Sequence, residues 1–190
     1  MVPDASPTQR RAAARRQPAA RPDVHLVPLG GGGAVQRSEA LRKAVLALAP
    51  TPEQDVWSSS AATTLPEADR DPARTPFAVL AGGRPVGFGV LDRVGILHEL
   101  VDRPERAVLL RGFYLDAAEQ GAGLGTAAAA AVPALARELY PDVELVVLTV
   151  NVANAGAVAA YLRGGFVDTG TRYLGGAAGP QHLLVAAVRR

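Results

Sequence analysis

Between Ala107 and Tyr140 the sequence passes from strand-like to helix-like across a glycine-rich turn, and this transition limits the available folds more than any other stretch. Ala107 to Leu115 is a mostly apolar, strand-like run. Gln120-Gly121-Ala122-Gly123-Leu124-Gly125-Thr126 follows, and Thr126 to Tyr140 is alanine-rich with helical spacing. The unit reads as strand, anion-binding loop, helix. Glycines at 121, 123 and 125 leave no Cβ atoms in the way, so successive N–H groups can converge on an anion at the positive end of the helix.

The residues around the loop narrow the choice of anion. A Walker-type triphosphate loop needs Lys and then Ser or Thr after its last glycine, whereas Gly125 is followed directly by Thr126 and Lys43 is the only lysine in the chain. A dinucleotide fingerprint starting at Gly121 would want Gly or Ala where Thr126 stands. A chain of 190 residues is also too short for the two halves of that fold. Downstream, Val143 to Val150 is a near-continuous apolar run that reads as a buried strand. Asn154 and Tyr161 then occur in Asn-x-x-Ala-x-x-x-Tyr, followed by Gly164-Gly165-Phe166.

Together these stretches resemble the GCN5-related N-acetyltransferase (GNAT) superfamily. Gln120-x-x-Gly123-x-Gly125 is similar to its pyrophosphate loop, and the Asn154 to Phe166 segment is similar to its second motif, in the same order. The resemblance covers roughly residues 23 to 188 and is densest from Arg111 onward. It implies an α/β (α+β) fold with a mixed, mostly antiparallel seven-stranded sheet and about four helices.

The rest of the chain can supply those elements. Val24 to Leu29 reads as a first strand, Gly30 to Gly33 as a hinge, and Gln36 to Leu48 as a helix stopped by Pro50. Thr51 to Arg74 is polar and broken, with room for short helices, and its one large aromatic, Trp57, reads as a core plug, with a substrate platform as the alternative. Pro76 to Leu80 and Pro85 to Leu91 flank Ala81-Gly82-Gly83-Arg84, a hairpin signal. Asp92 to Arg106 is a connection containing His98 and Glu99. In the helix after the loop, Val132, Leu135 and Leu139 form a stripe, and Pro133 removes one hydrogen bond, so a kink is expected there. Val167 to Tyr173 and His182 to Val188 can pair as a second hairpin.

Composition sets further bounds. The chain has no cysteine, which excludes disulfides and thiol chemistry of its own. No run of about 18 apolar residues suggests a membrane span. No apolar core follows the N-terminal arginines, so no secretory signal is expected and a cytoplasmic location is the default. Arg10, Arg11, Arg15, Arg16 and Arg21 against Asp4 give the first 22 residues a net +4 and leave the remainder near −2. Residues 1–22 therefore read as a disordered basic tail and 23–190 as the folded domain. The tail lacks interleaved aromatics, so no nucleic-acid partner is expected.

The resemblance also implies roles. Acetyl-CoA would be the cosubstrate, without a metal, its pyrophosphate held by the N–H groups of Gly121, Ala122, Gly123, Leu124, Gly125 and Thr126 together with Gln120. The backbone of Phe113, Tyr114 and Leu115 would pair with the pantetheine arm, and one N–H would face the thioester oxygen. Asn154 would contact coenzyme A, although its position also suits a helix N-cap. Tyr161 would be the cofactor contact and general acid toward the leaving thiolate. Glu99 is a candidate base, beside His98, Asp116 and Glu119, and a water chain is the alternative. Thr51 to Arg74 and Leu174 to Gln181 would wall the acceptor site. The first carries Glu53, Asp55, Glu67, Asp69 and Asp71 against Arg70 and Arg74, a balance suited to a cationic amine such as a polyamine or aminoglycoside. The expected partner is thus a small-molecule amine acceptor, and the expected state a monomer or homodimer. A protein N-acetyltransferase and a non-catalytic coenzyme A sensor are the alternatives.

Overall fold

The computed structural model describes residues 22–30, 35–54, 57 and 60–189. The basic tail at residues 1–21, Gly31 to Gly33 of the hinge and Asp55 lie outside the described residues.

Seven strands form one sheet: β1 (Val24–Pro28), β2 (Arg74–Ala81), β3 (Arg84–Asp92), β4 (Ala107–Leu115), β5 (Leu145–Asn151), β6 (Val167–Tyr173) and β7 (Gln181–Ala187). Among the described residues five α-helices accompany them: α1 (Val35–Leu46), α2 (Ala61–Asp69), α3 (Leu97–Leu100), α4 (Leu124–Leu139) and α5 (Ala155–Arg163). The sequence suggests about four, and the additional one is α3, a single turn inside the connection that carries His98 and Glu99. Strand order is β1-β2-β3-β4-β5-β7-β6, with every pair antiparallel except β4 and β5. Among the described residues no helix is long and apolar enough to cross a membrane.

Strand periodicity sends alternate side chains to the two faces of the sheet. Ala78, Phe88, Val90 and Tyr114 join Val45 of α1 and Leu65 and Ala68 of α2 on one face. Phe77, Val79, Leu91, Val108 and Leu110 join Leu124, Ala128, Ala129, Val132, Leu135 and Ala136 of α4 on the other. The alanines let α4 lie close to the sheet, while each fully buried Val or Leu contributes about 1.5–3 kcal/mol. The helix continues through Pro133 as one 16-residue element.

Two irregularities of β4 create the functional geometry. β4 and β5 pair only at Ala107–Leu145, Val108–Val146 and Leu109–Val147, so the strands separate from Leu110 onward. Between the pairs Phe88–Tyr114 and Val90–Arg111, moreover, β4 holds one residue more than β3. That bulge contains Gly112, whose φ of 55° is one that side-chain-bearing residues rarely adopt.

Asp92 ends β3 with no solvent exposure. Its Oδ2 accepts hydrogen bonds from Arg74 Nε at 3.0 Å and Arg111 Nη1 at 3.1 Å, and its Oδ1 accepts from the Val94 N–H at 2.9 Å. Tyr114 performs a comparable structural task farther along the same face of the sheet. Its hydroxyl accepts from the Ala61 N–H at 2.9 Å and donates to the Leu48 carbonyl at 3.1 Å, tying the chain after α1 and the start of α2 to the central strand. Tyr114→Phe strands both buried backbone groups. Urea denaturation should show a loss of about 1–3 kcal/mol, and an unchanged midpoint would contradict this bracing role.

Candidate active site

The separation of β4 from β5 opens a cleft with two ends that share Phe113 and Tyr161. On the glycine-loop side lies a cavity of about 400 Å³, bordered by Leu115 of β4, by Gln120, Gly121, Gly123, Gly125 and Thr126, and by Gly156, Ala157, Ala160 and Arg163 of α5. On the other side a cavity of about 230 Å³ is bordered by Arg111, Gly112, Thr149, Asn151 and Asn154. It adjoins a space of about 310 Å³ lined by Trp57, Thr63, Thr64, Glu67 and Arg111.

The glycine loop is shaped by backbone requirements. Gly121 and Gly123 have φ of 86° and 79°, a region that costs an L-residue roughly 1–2 kcal/mol, and Gly123 is the N-cap of α4. The turn delivers the first N–H groups of a 16-residue helix to the cavity edge, and those of Leu124, Gly125 and Thr126 have no acceptor among the described residues. Among the described residues no carboxylate borders this cavity, and Arg163 adds a full positive charge to it. Such a donor set suits a phosphate-bearing ligand and needs no metal. Among the described residues no group of three or more His, Cys, Asp or Glu side chains is placed to hold one.

Not every loop residue faces that cavity. Ala122 is exposed and borders none of these spaces, and the Leu124 side chain is buried in the core beneath the loop. Gln120 turns sideways: its amide exchanges hydrogen bonds with Gln54 at 2.8 and 3.0 Å and donates to the Leu115 carbonyl at 3.1 Å. Gln120 therefore braces the loop against the turn at 51–54, and Gln54 enters the cavity lining with it.

The three residues of β4 divide by strand parity. The Asp116 N–H donates to the Val86 carbonyl, so the backbone of Tyr114, two residues earlier, also turns toward β3. Tyr114 thus presents neither backbone nor side chain to the cleft, contrary to the sequence expectation. Leu115 has the opposite parity and its backbone faces the open edge, while the Phe113 ring forms the cleft's floor beside Tyr161.

Tyr161 is 8% exposed, between Phe113 and Phe166 at ring-centroid separations of 6.0 and 5.6 Å. Burial pushes its phenol above the ordinary tyrosine value, and its hydroxyl has no hydrogen-bond partner among the described residues. Asn154 both caps α5, accepting from the Ala157 N–H at 3.2 Å, and borders the smaller cavity.

The base candidates read from sequence lie elsewhere. Glu99 accepts from the Tyr173 hydroxyl at 3.4 Å and sits 3.9 Å from His98; Asp116 accepts from the N–H groups of Ala49 and Ala118; Glu119 pairs with Arg84 at 3.2 Å. None of the four borders the cleft. Glu67 is the one carboxylate that does, among the described residues. The acidic balance of the 51–74 segment is also smaller in place than in sequence, because Asp69 pairs with Arg42 from outside the segment; Asp71 pairs within it, with Arg74. Trp57, read as a core plug, is 36% exposed and forms part of the cleft wall. Gly156, Ala160 and Arg163 recur at helical spacing on one face of α5, a signal that could have marked them.

Comparison with known proteins agrees with this architecture. The uncharacterized N-acetyltransferase YbbJ of Bacillus subtilis (strain 168) is 30% identical over 102 residues, 54% of this chain and 64% of that relative, so the match spans less than two thirds of its length. A structure of AAC(6')-Ib with paromomycin and acetyl-CoA superposes with a TM-score of 0.64 at 19% identity, over 86% of this chain and 93% of that one. A chimera of the spermidine N-acetyltransferase SpeG from Vibrio cholerae and hSSAT gives a TM-score of 0.55 at 17% identity, over 87% and 95%. At these identities the two structures establish likeness of fold. Residues 42–166, which run from α1 through the glycine loop to Phe166, match the Acetyltransferase (GNAT) family, and the chain belongs to that family.

Proposed function

We propose that the chain is an acetyl-CoA-dependent N-acetyltransferase acting on a primary amine of a small molecule. The observation that carries this reading is the unpaired edge of β4, which joins an anion-binding helix terminus at one end to a polar cavity at the other.

In this reading the N–H groups at the start of α4, with Arg163, hold the pyrophosphate of acetyl-CoA. Leu115 offers strand-like hydrogen bonding to the pantetheine, and the bulge at Gly112 and Phe113 receives the thioester. A C–N bond forms between the amine and the acetyl carbon as the C–S bond breaks. Glu67, through water, takes the proton that the amine loses. Tyr161 donates a hydrogen bond to the departing sulfur and passes a proton on from solvent. Its raised pKa keeps the phenol protonated, so it acts as a donor at any physiological pH.

The acceptor end is bounded on several sides, which favours a small molecule over an extended peptide. Asn151 Nδ2 donates to the Ala178 carbonyl at 2.7 Å and holds the 174–180 connection over the cleft, while Trp57 forms another wall. Release of thiol from acetyl-CoA should depend on added amine. Binding without amine-dependent release would favour a coenzyme A sensor instead.

The binding half is tested by thermal stability. Acetyl-CoA at about 100 times its Kd should stabilise the protein by about 2.7 kcal/mol, raising Tm by roughly 5–10 °C without added metal. Gly123→Val should abolish that shift, because valine strains the left-handed N-cap and projects a branched side chain into the anion's space. A full shift in this variant would make the loop a simple turn.

For the catalytic half, Tyr161→Phe should lower kcat roughly 10- to 100-fold while KM for acetyl-CoA stays within about twofold. Tm should move little, since only a hydroxyl without a described protein partner is lost. The wild-type kcat profile should show no alkaline limb from Tyr161 near pH 10, where an unperturbed tyrosine would be half ionised. Full activity in the variant would remove Tyr161 from the chemistry.

A further inference from the structure

We infer, building on the acyl-transfer reading, that the acceptor is a small zwitterion: an amine that also carries a carboxylate, as an amino acid does, with Arg111 as the carboxylate's partner. Arg111 and Glu67 border the same cavity of about 310 Å³, yet no ion pair joins them. Opposite charges held apart across one polar space match a ligand that carries both signs.

Arg111 is built to hold its position. The carboxylate of Asp92, with 1% side-chain exposure, fixes Arg111 Nη1 at 3.1 Å, while Arg74 shares the same oxygen at 3.0 Å. Nη1 is the only atom of the Arg111 guanidinium with a partner among the described residues, and the side chain is 42% exposed toward the cleft. The remaining donors suit a planar carboxylate, which a guanidinium binds bidentately. Arg111 also immediately precedes the Gly112 bulge where the thioester would lie, so a carboxylate it holds is close to the reacting nitrogen. That proximity favours a short amino acid.

The same geometry disfavours polycations. Asp69 and Asp71 are held by Arg42 and Arg74, which leaves Glu67 as the single carboxylate facing the cavity among the described residues. A diamine or aminoglycoside would set a second ammonium against Arg111, where like charges in a partly dehydrated space repel.

The test uses the full chain, acetyl-CoA and thiol release with a matched series: short amino acids, their amides, and diamines and aminoglycosides. The amino acid should exceed its own amide and the diamine by at least tenfold in kcat/KM. Arg111→Gln should reduce the acid-over-amide ratio by tenfold or more, and Arg111→Lys should restore part of it. Wild-type preference for a polycation, or an unchanged ratio in an Arg111→Gln variant that still shows the acetyl-CoA-induced Tm shift, would overturn the zwitterion assignment while leaving the enzyme reading intact. No Tm shift and no release with any amine would overturn both. If Arg111→Gln fails to fold, the wild-type series decides alone.

Discussion

β4 and β5 share hydrogen bonds over only three residue pairs, and beyond Leu109 each edge carries N–H and C=O groups that the sheet leaves unmatched. Solvent or a ligand must meet the hydrogen-bonding capacity of such an edge, because unpaired backbone polar groups cannot be buried cheaply. The cleft is therefore a product of sheet topology. β4 is held on its other side by β3, and β5 by β7, so both strands stay extended while the space between them widens.

Everything that borders the cleft is placed by elements that pack on one side or the other of that gap. α4 starts at the glycine loop because β4 ends there, and its small residues bring it onto the sheet so that its N-terminus opens at the gap's edge. α5 follows β5 and packs against α4, which puts Tyr161 between the Phe113 and Phe166 rings. On the opposite face, Tyr114 and the Asp92 cluster fix α2 and Arg111 relative to β4. The result is a charge gradient along the cleft, cationic near the loop and balanced near Glu67 and Arg111. Such a gradient orients a substrate pair that is strongly anionic at one end.

Local periodicity made much of this fold legible. The central strand and the sixth strand agree with their sequence-read spans, Ala107 to Leu115 and Val167 to Tyr173, because apolar patterning and flanking turn residues are properties of the segment itself. The glycine loop and the Asn154 to Phe166 motif likewise carried the family in their own residues. What sequence concealed depends on partners distant in the chain. Whether Tyr114 faces the cleft is set by its register with β3, and the extra residue at Gly112 changes that register within the strand. Gln54 bonds to Gln120, and Glu67 comes to border one cavity with Arg111, only after the segment that follows α1 folds over the sheet. The acidic count of that segment changes in place for a related reason, since the pairing of Asp69 with Arg42 is a tertiary fact. His98 and Glu99 sit on a helical turn too short to announce itself by periodicity.

On the proposed function, the open edge of β4 and the start of α4 are one continuous binding surface for coenzyme A. Backbone amide NMR of the full chain titrated with coenzyme A tests it most directly. The account predicts the largest shift changes at Leu115, Gly121, Gly123, Gly125 and Thr126, with smaller ones at Gly156 and Ala160. Changes confined to other surfaces, with the Leu115 and α4 N-terminal amides unmoved at saturation, would contradict it.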